Sequence, residues 1–252
     1  MRDPALKLLV FDWDGTLMDS VGSIVGCTQA VIADLGLGEA DETTIRGTVG
    51  LGLRETVDTL VPGCDDALYD VVLECYRRHW VATFRDRPLL FPGVRAMLGD
   101  LAQGGYLLAV ATGKSRRGLE HAFDQTGLRG HFHASRTADE ALSKPHPQML
   151  LDILDQLGVR PRAALMVGDS IYDLRMAANA GTHGVAVLSG AHGREELAAE
   201  APRVLLEQIV ELPAWLANES GLPAAAAARP EEVAEAADRQ LAPAAITSSS
   251  GS

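Results

Sequence analysis

Lysine is scarce in this chain of 252 residues: Lys7, Lys114 and Lys144 stand against nineteen arginines, and acids outnumber bases to give a formal net charge of −12. That balance opposes association with nucleic acid or anionic lipid, both of which reward basic surfaces, so no nucleic acid and no membrane is expected as a partner. Cysteine is scarce too. Cys27, Cys64 and Cys75 are odd in number and lack CxxC spacing, which argues against a disulfide framework or a zinc site and for reduced thiols in a cytoplasmic setting. Long apolar runs are missing: the first, LLVF, is cut short by Asp12 and Asp14, so no signal peptide is expected, and no run approaches the roughly 20 residues that span a bilayer. What remains, 47% hydrophobic and 22% charged residues, has the proportions of a globular chain long enough to bury a core.

From about residue 88 onward, short apolar runs alternate with segments of helical period. LLAVAT, FHAS, AALMVGD and HGVAVL read as strands; SRRGLEHAFDQTG, HPQMLLDILDQLG and IYDLRMAANAG read as helices. Buried strands alternating with crossover helices predict a doubly wound parallel α/β sheet, covered on both faces. Between the first strand, placed at Leu6 to Asp12, and residue 88 the apolar spacing is helical throughout, as in SVGSIVGCTQAVIADLG and DDALYDVVLECYRRHWVATF. The expected organisation is an α/β core from 1–16 and 88–217, an all-helical insertion over 17–87, and a disordered tail over 218–252. The tail is rich in alanine and proline and cannot supply a core, although RPEEVAEAADRQLA could form a marginal helix.

Carboxylates interrupt this pattern at strand ends. Asp12 and Asp14 follow the first strand; Asp169 ends AALMVGD, and Asp173 lies in the first turn of the next helix. In a parallel sheet the strand C-termini open into the ligand crevice. Two like charges about 4 Å apart repel by about 4 kcal/mol at an effective dielectric near 20, so four acids in one crevice need protons or a cation. Oxygen-only donors point to a hard ion, and Mg2+, which commonly bridges to phosphate, fits best. Thr112 and Gly113 lead from LLAVAT into a helix, and Lys144 precedes Pro145. A hydroxyl, backbone amides and an ammonium suit a phosphoryl group. Thr112 as a helix cap and Lys144 as a solvated loop charge are the plain alternatives, and the scarcity of lysine weighs against the second.

The ordered stretches FDWDGTLMDS, VATGKS, SKPHPQ and VGDSIYD resemble those of the haloacid dehalogenase-like hydrolases, in the phosphoglycolate phosphatase-like branch with a helical cap after the first strand. The resemblance spans roughly residues 5–217. It implies Asp12 as a nucleophile that becomes an aspartyl phosphate, and Asp14 as general acid and then base. It implies Mg2+ held by Asp12, the backbone carbonyl of Asp14 and Asp169, with Asp173 as an outer partner. Thr112, Gly113 and Lys144 would stabilise phosphoryl oxygens, Lys144 also orienting Asp12. In the cap, TVGLGLRE is the expected substrate reader: Gly50 and Gly52 would allow close approach, and Arg54 could meet a substrate anion, a plain interhelical turn being the alternative.

Within that superfamily a phosphonate-cleaving enzyme needs a cap lysine, and residues 17–87 contain none. A haloacid dehalogenase typically lacks the second acid, here Asp14. A sugar phosphomutase usually has a hydrophobic residue where Thr16 stands. The expectation is therefore a cytoplasmic Mg2+-dependent phosphatase of a small phosphorylated metabolite, such as phosphoglycolate. The phosphomutase and a non-catalytic binding module are the alternatives, and the chain reads equally as monomer or dimer. The histidines show no ligand spacing, and Trp13 between the two acids has no evident role.

Overall fold

A computed structural model describes residues 5–84 and 90–220. The first strand, β1, spans Leu8–Phe11. Four helices follow: α1 (Val21–Leu35), α2 (Glu42–Arg46), α3 (Leu53–Leu60) and α4 (Asp66–Phe84). Then α5 (Val94–Gln103), β2 (Leu107–Thr112), α6 (Arg116–Thr126), β3 (Ala134–Thr137), α7 (Gln148–Leu157), β4 (Ala164–Gly168), α8 (Ile171–Ala180), β5 (His183–Val187), α9 (Arg194–Ala199), β6 (Leu205–Leu206) and α10 (Leu212–Ser220) complete the described chain.

The six strands form one parallel sheet in the order β3-β2-β1-β4-β5-β6. The doubly wound α/β architecture expected from the sequence is therefore present. The chain runs outward from β1 in both directions, so a switch point falls at β1, and the crevice beyond the C-termini of β1 and its neighbours is where this topology binds ligands. All four residues of β1 are buried, as a strand covered on both faces requires. Leu8 and Val10 pack with Ala109, Ala111, Met166 and helices α7 and α8, through Met149, Ile153 and Met176. Leu9 and Phe11 point to the opposite face, by the two-residue period of a strand. Burying each such side chain contributes about 1.5–3 kcal/mol.

Between β1 and residue 84 every regular element is helical. One apolar cluster joins Val21, Val25, Ile32, Ile45 and Val49, and another joins Val31, Val57, Cys64, Val72 and Cys75. The helices of this segment thus bury their stripes against one another. The segment holds two short helices, α2 and α3, beyond the two long ones readable from periodicity. Asp41 caps α2 by accepting the Thr44 N–H.

By its contacts the chain divides after Pro213. In the second part, Ala214–Ser252, the described residues 214–220 are helical. The expected tail over 218–252, with its marginal helix, lies otherwise outside the described residues. Among those described, no helix is long and apolar enough to cross a membrane.

Candidate active site

The Asp12 N–H donates to the Val167 carbonyl at 2.9 Å, so the acid after β1 is fixed against the end of β4. Asp169 directly follows β4. The chain turns sharply beyond Asp12: the N–H groups of Leu17 and Met18 both donate to the Trp13 carbonyl at 2.9 Å, and Gly15 takes φ +78°. A Cβ at Gly15 would stand 2.3 Å from Oδ2 of Asp169, and one at Gly190 would stand 1.9 Å from it. Glycine at both positions lets two backbones close around one carboxylate. Asp169 then accepts from Thr16 Oγ1 and from the Ala191 N–H, each at 2.8 Å.

Trp13, left without a role by the sequence, is the anchor of this turn. It is fully buried, its indole N–H donates to Met18 Sδ at 2.6 Å, and its ring meets Phe123 edge-on with centroids 5.2 Å apart. The two acids are held on either side of a fixed wedge.

Lys144 is buried, and its Nζ lies 2.7 Å from Oδ1 of Asp12 and 2.7 Å from Oδ1 of Asp173. Asp173 reaches that point as the third residue of α8. Its Oδ2 accepts from the Ser170 N–H and hydroxyl in a capping box. A Cβ at Gly168 would stand 2.2 Å from Asp173 Cγ, so this approach too needs glycine. The solvated-loop alternative for Lys144 is thereby set aside.

Asp14 takes a separate partner. Its Oδ1 lies 2.9 Å from Nζ of Lys114 and accepts a short hydrogen bond from the Ser20 hydroxyl. Lys114 also lies over the Trp80 ring of α4, 5.3 Å from its centroid. The sequence pattern alone does not single out Lys114, Ser20 or Thr16 as partners of these acids. The only signal for Lys114 was that lysine is so rarely used. Thr112 is buried at the end of β2, and its Oγ1 accepts from the Lys114 N–H at 3.3 Å.

The loop Gly47–Gly52 of the helical segment lies over these strand ends. Tyr172 Oη donates to the Gly47 carbonyl at 2.6 Å, and the Gly52 N–H donates to Ser143 Oγ at 2.8 Å. A Cβ at Gly113 would stand 2.3 Å from the Leu51 carbonyl oxygen, and one at Gly50 (φ +103°) would stand 2.8 Å from Ser170 Oγ. Arg54 is not among the groups brought to the carboxylates. Its guanidinium pairs with Asp58 at 3.0 Å and Asp66 at 2.7 Å, donates to the Cys64 carbonyl and stacks on Tyr69.

Burial dominates the electrostatics. It raises the Asp12 carboxyl to about pKa 7, Lys144 opposing the shift and Asp173 and Asp14 adding to it. Asp169 is pushed well above its ordinary value by burial and then by Asp12 and Asp173. Burial alone would lower Lys144, but attraction to Asp12 and Asp173 more than offsets this and holds it as an ammonium. One ammonium thus pairs with two of three clustered carboxylates, and Asp169 is left with neutral donors alone. Carboxylate oxygens of Asp12, Asp169 and Asp173 lie within 4.8 Å of one another, and Lys144 is the partner of Oδ1 on both Asp12 and Asp173. An all-oxygen set with surplus negative charge fits a hard divalent cation such as Mg2+. The Asp14 side chain is engaged elsewhere, by Lys114 and Ser20.

A doubly wound parallel sheet with acids after β1 and β4, a threonine ending β2 and a buried lysine before α7 defines a class of hydrolase. The haloacid dehalogenase-like hydrolase family matches residues 9–187, and the chain belongs to it. It is 34% identical over 214 residues to "Probable phosphatase IndB" of Dickeya dadantii (strain 3937), covering 81% of this chain and 91% of that protein. It is 28% identical over 212 residues to a phosphoglycolate phosphatase of Nitrosococcus oceani, covering 82% of this chain and 94% of the relative. The crystal structure of a hydrolase from Pseudomonas syringae superposes with a TM-score of 0.77, covering 85% of this chain and 99% of that one at 22% identity, a likeness of fold.

Proposed function

We propose that this protein is a Mg2+-dependent phosphatase that hydrolyses a small phosphorylated metabolite, of the phosphoglycolate-like phosphomonoester class, through an aspartyl phosphate on Asp12. The observation that carries the reading is the division of labour between two acids. Asp12 is held by Lys144 beside Asp169 and Asp173, while Asp14 is held apart by Lys114 and Ser20. One carboxylate is aligned to attack, and the other is free of that cluster to move a proton. The names of the relatives, a phosphatase and a phosphoglycolate phosphatase, support the same class.

In the proposed reaction an oxygen of Asp12 attacks phosphorus, and the bond to the leaving oxygen breaks as Asp14 delivers its proton there. Asp14, now a carboxylate, takes a proton from the water that attacks the aspartyl phosphate, so Asp12 is regenerated and inorganic phosphate leaves. Lys144 orients Asp12 and, with the Thr112 hydroxyl and the Gly113 amide, offers positive groups to the phosphoryl oxygens. Mg2+, held by Asp12, Asp169 and the Asp14 carbonyl with Asp173 behind, would supply charge neutralisation of the phosphoryl group. Residues 17–87 act as a cap on a core of 1–16 and 88–217, with the Gly47–Gly52 loop closing over the leaving group and excluding water.

Phosphate release from a panel of phosphomonoesters, including phosphoglycolate and sugar phosphates, tests the reading. Turnover should need added Mg2+ and fall by at least about 10³-fold in Asp12→Asn. The acid-quenched enzyme should carry covalent phosphate that Asp12→Asn lacks. Turnover that survives EDTA, or that persists in Asp12→Asn, overturns it.

A further inference from the structure

The helical segment carries a second group of metal-ligating side chains, chemically unlike the carboxylate cluster. Cys75 and His79 are four residues apart on α4, a spacing that sets both on one face of the helix. Asp34, in the last turn of α1, meets them: His79 Nε2 lies 2.9 Å from Asp34 Oδ2, and one ligand atom from each of the three residues lies within 4.8 Å of the others. Cys75 is buried, His79 is half-buried and Asp34 is exposed. The thiol is thus the innermost of the three donors, and the imidazole and carboxylate lie nearer the solvent. We propose that Asp34, Cys75 and His79 bind a divalent cation of the Zn2+ class, with a fourth position open to water.

The donor set decides the class of metal. Thiolate, imidazole and carboxylate are the ligands of zinc, at about 2.0–2.3 Å each, whereas Mg2+ takes oxygen donors. The three ligand atoms need to draw together by a modest rotation of the Asp34 and His79 side chains, with the helices left in place. Two anionic ligands and a neutral imidazole balance a dication. Binding breaks the Cys75 S–H bond, sends its proton to solvent and forms the sulfur–metal bond, with no change of oxidation state. Arg78 is the competing cation: its Nη2 donates to Cys75 Sγ at 3.2 Å, from an exposed position that allows the guanidinium to leave into water. The missing CxxC spacing does not bear on this site, because its ligands come from two helices. The bound ion would join α1 to α4 one residue before Trp80, whose ring lies over Lys114.

Titration of the full, metal-free chain with Co2+, followed by absorption spectroscopy, tests the site. One equivalent should develop sulfur-to-cobalt charge-transfer and tetrahedral ligand-field bands and release a proton. Excess Zn2+ should abolish the bands and excess Mg2+ should not. Cobalt at the carboxylate cluster gives no thiolate band, so the two sites separate in one spectrum. Cys75→Ser should remove the charge-transfer band, Cys64→Ser should keep it, and His79→Gln or Asp34→Asn should weaken binding by about tenfold or more. The His79 and Asp34 variants alter exposed or half-buried side chains, and they carry the test if Cys75→Ser fails to fold. A chain that shows no thiolate band with Co2+, or affinity unchanged in His79→Gln and Asp34→Asn, overturns the site.

Discussion

Lys114 Nζ lies 2.9 Å from Asp14 Oδ1, tying the loop after β1 to the loop after β2. Both side chains are mostly buried, so the pair is less screened than an exposed one. If Asp14 moves the proton, Lys114 sets where that proton is delivered. Lys114→Met should reduce kcat by roughly 10- to 100-fold on an alkyl phosphate, which needs a protonated leaving group, and by much less on an aryl phosphate. Equal losses on the two substrates would show that Lys114 acts elsewhere.

A methyl group at residue 113 has no room. Its carbon would stand 2.3 Å from the Leu51 carbonyl oxygen, so Gly113→Ala must push the Gly47–Gly52 loop off the strand ends. A displacement of about 1 Å in a positioning element can cost about 10²-fold. The variant should lose kcat/KM on that scale while its thermal unfolding midpoint moves by only a few degrees, measured by steady-state kinetics beside a melting curve.

Without a divalent cation, stability should fall as pH rises. The Asp12 pKa is raised to about 7 and that of Asp169 is raised as well, so folding favours their protonated forms. For Asp12 that stabilisation is complete below the unfolded carboxyl value of about 3.9 and is lost as pH climbs through about 7, and Asp169 acts in the same direction. Mg2+ favours the ionised forms. The rise in melting temperature on adding Mg2+ should therefore be small at about pH 5 and reach several degrees at about pH 8. A rise independent of pH would separate the metal from these carboxyls.

Much of this was legible in the sequence, for physical reasons that differ by element. β1, β2, β4 and most of β5 are readable because strands buried on both faces are largely apolar, and the acids that follow β1 and β4 stand out against that background. The apolar pattern predicts β3 over FHAS, two residues ahead of its place at Ala134–Thr137. Phe132 looks like a strand residue but lies before the strand, where it packs against Phe123 and Trp13. β6 has only two residues and gives no periodic signal. Pairings between distant loops, such as Lys114 with Asp14 or Thr16 with Asp169, depend on how strands are ordered in the sheet, which spacing along the chain does not encode. Arg54 has the right charge beside a glycine-rich loop, yet it finds Asp58 one turn along α3 and Asp66 at the start of α4.

Thr16 supports Asp169 from within the turn that carries Asp14. Thr16→Val keeps the shape and removes one buried donor, which should cost about 1–3 kcal/mol of stability and weaken Mg2+ binding by about 10- to 100-fold. Denaturant unfolding and calorimetric Mg2+ titration measure the two effects separately.

Arg54 supplies a contrasting case. Its guanidinium is satisfied by Asp58, Asp66 and Cys64 within the helical segment. Arg54→Ala should barely move the thermal unfolding midpoint, as solvent-screened ion pairs contribute little, and leave KM within about twofold. A tenfold rise in KM would assign it to the substrate after all.

Asp173 performs two tasks with its two oxygens: Oδ2 closes the first turn of α8 and Oδ1 faces Lys144. The signal that starts a helix and the charge that steadies a reactive side chain are thus written in a single residue. Replacing Asp173 would therefore take from α8 its capping box and from Lys144 one of its two carboxylate partners in a single change.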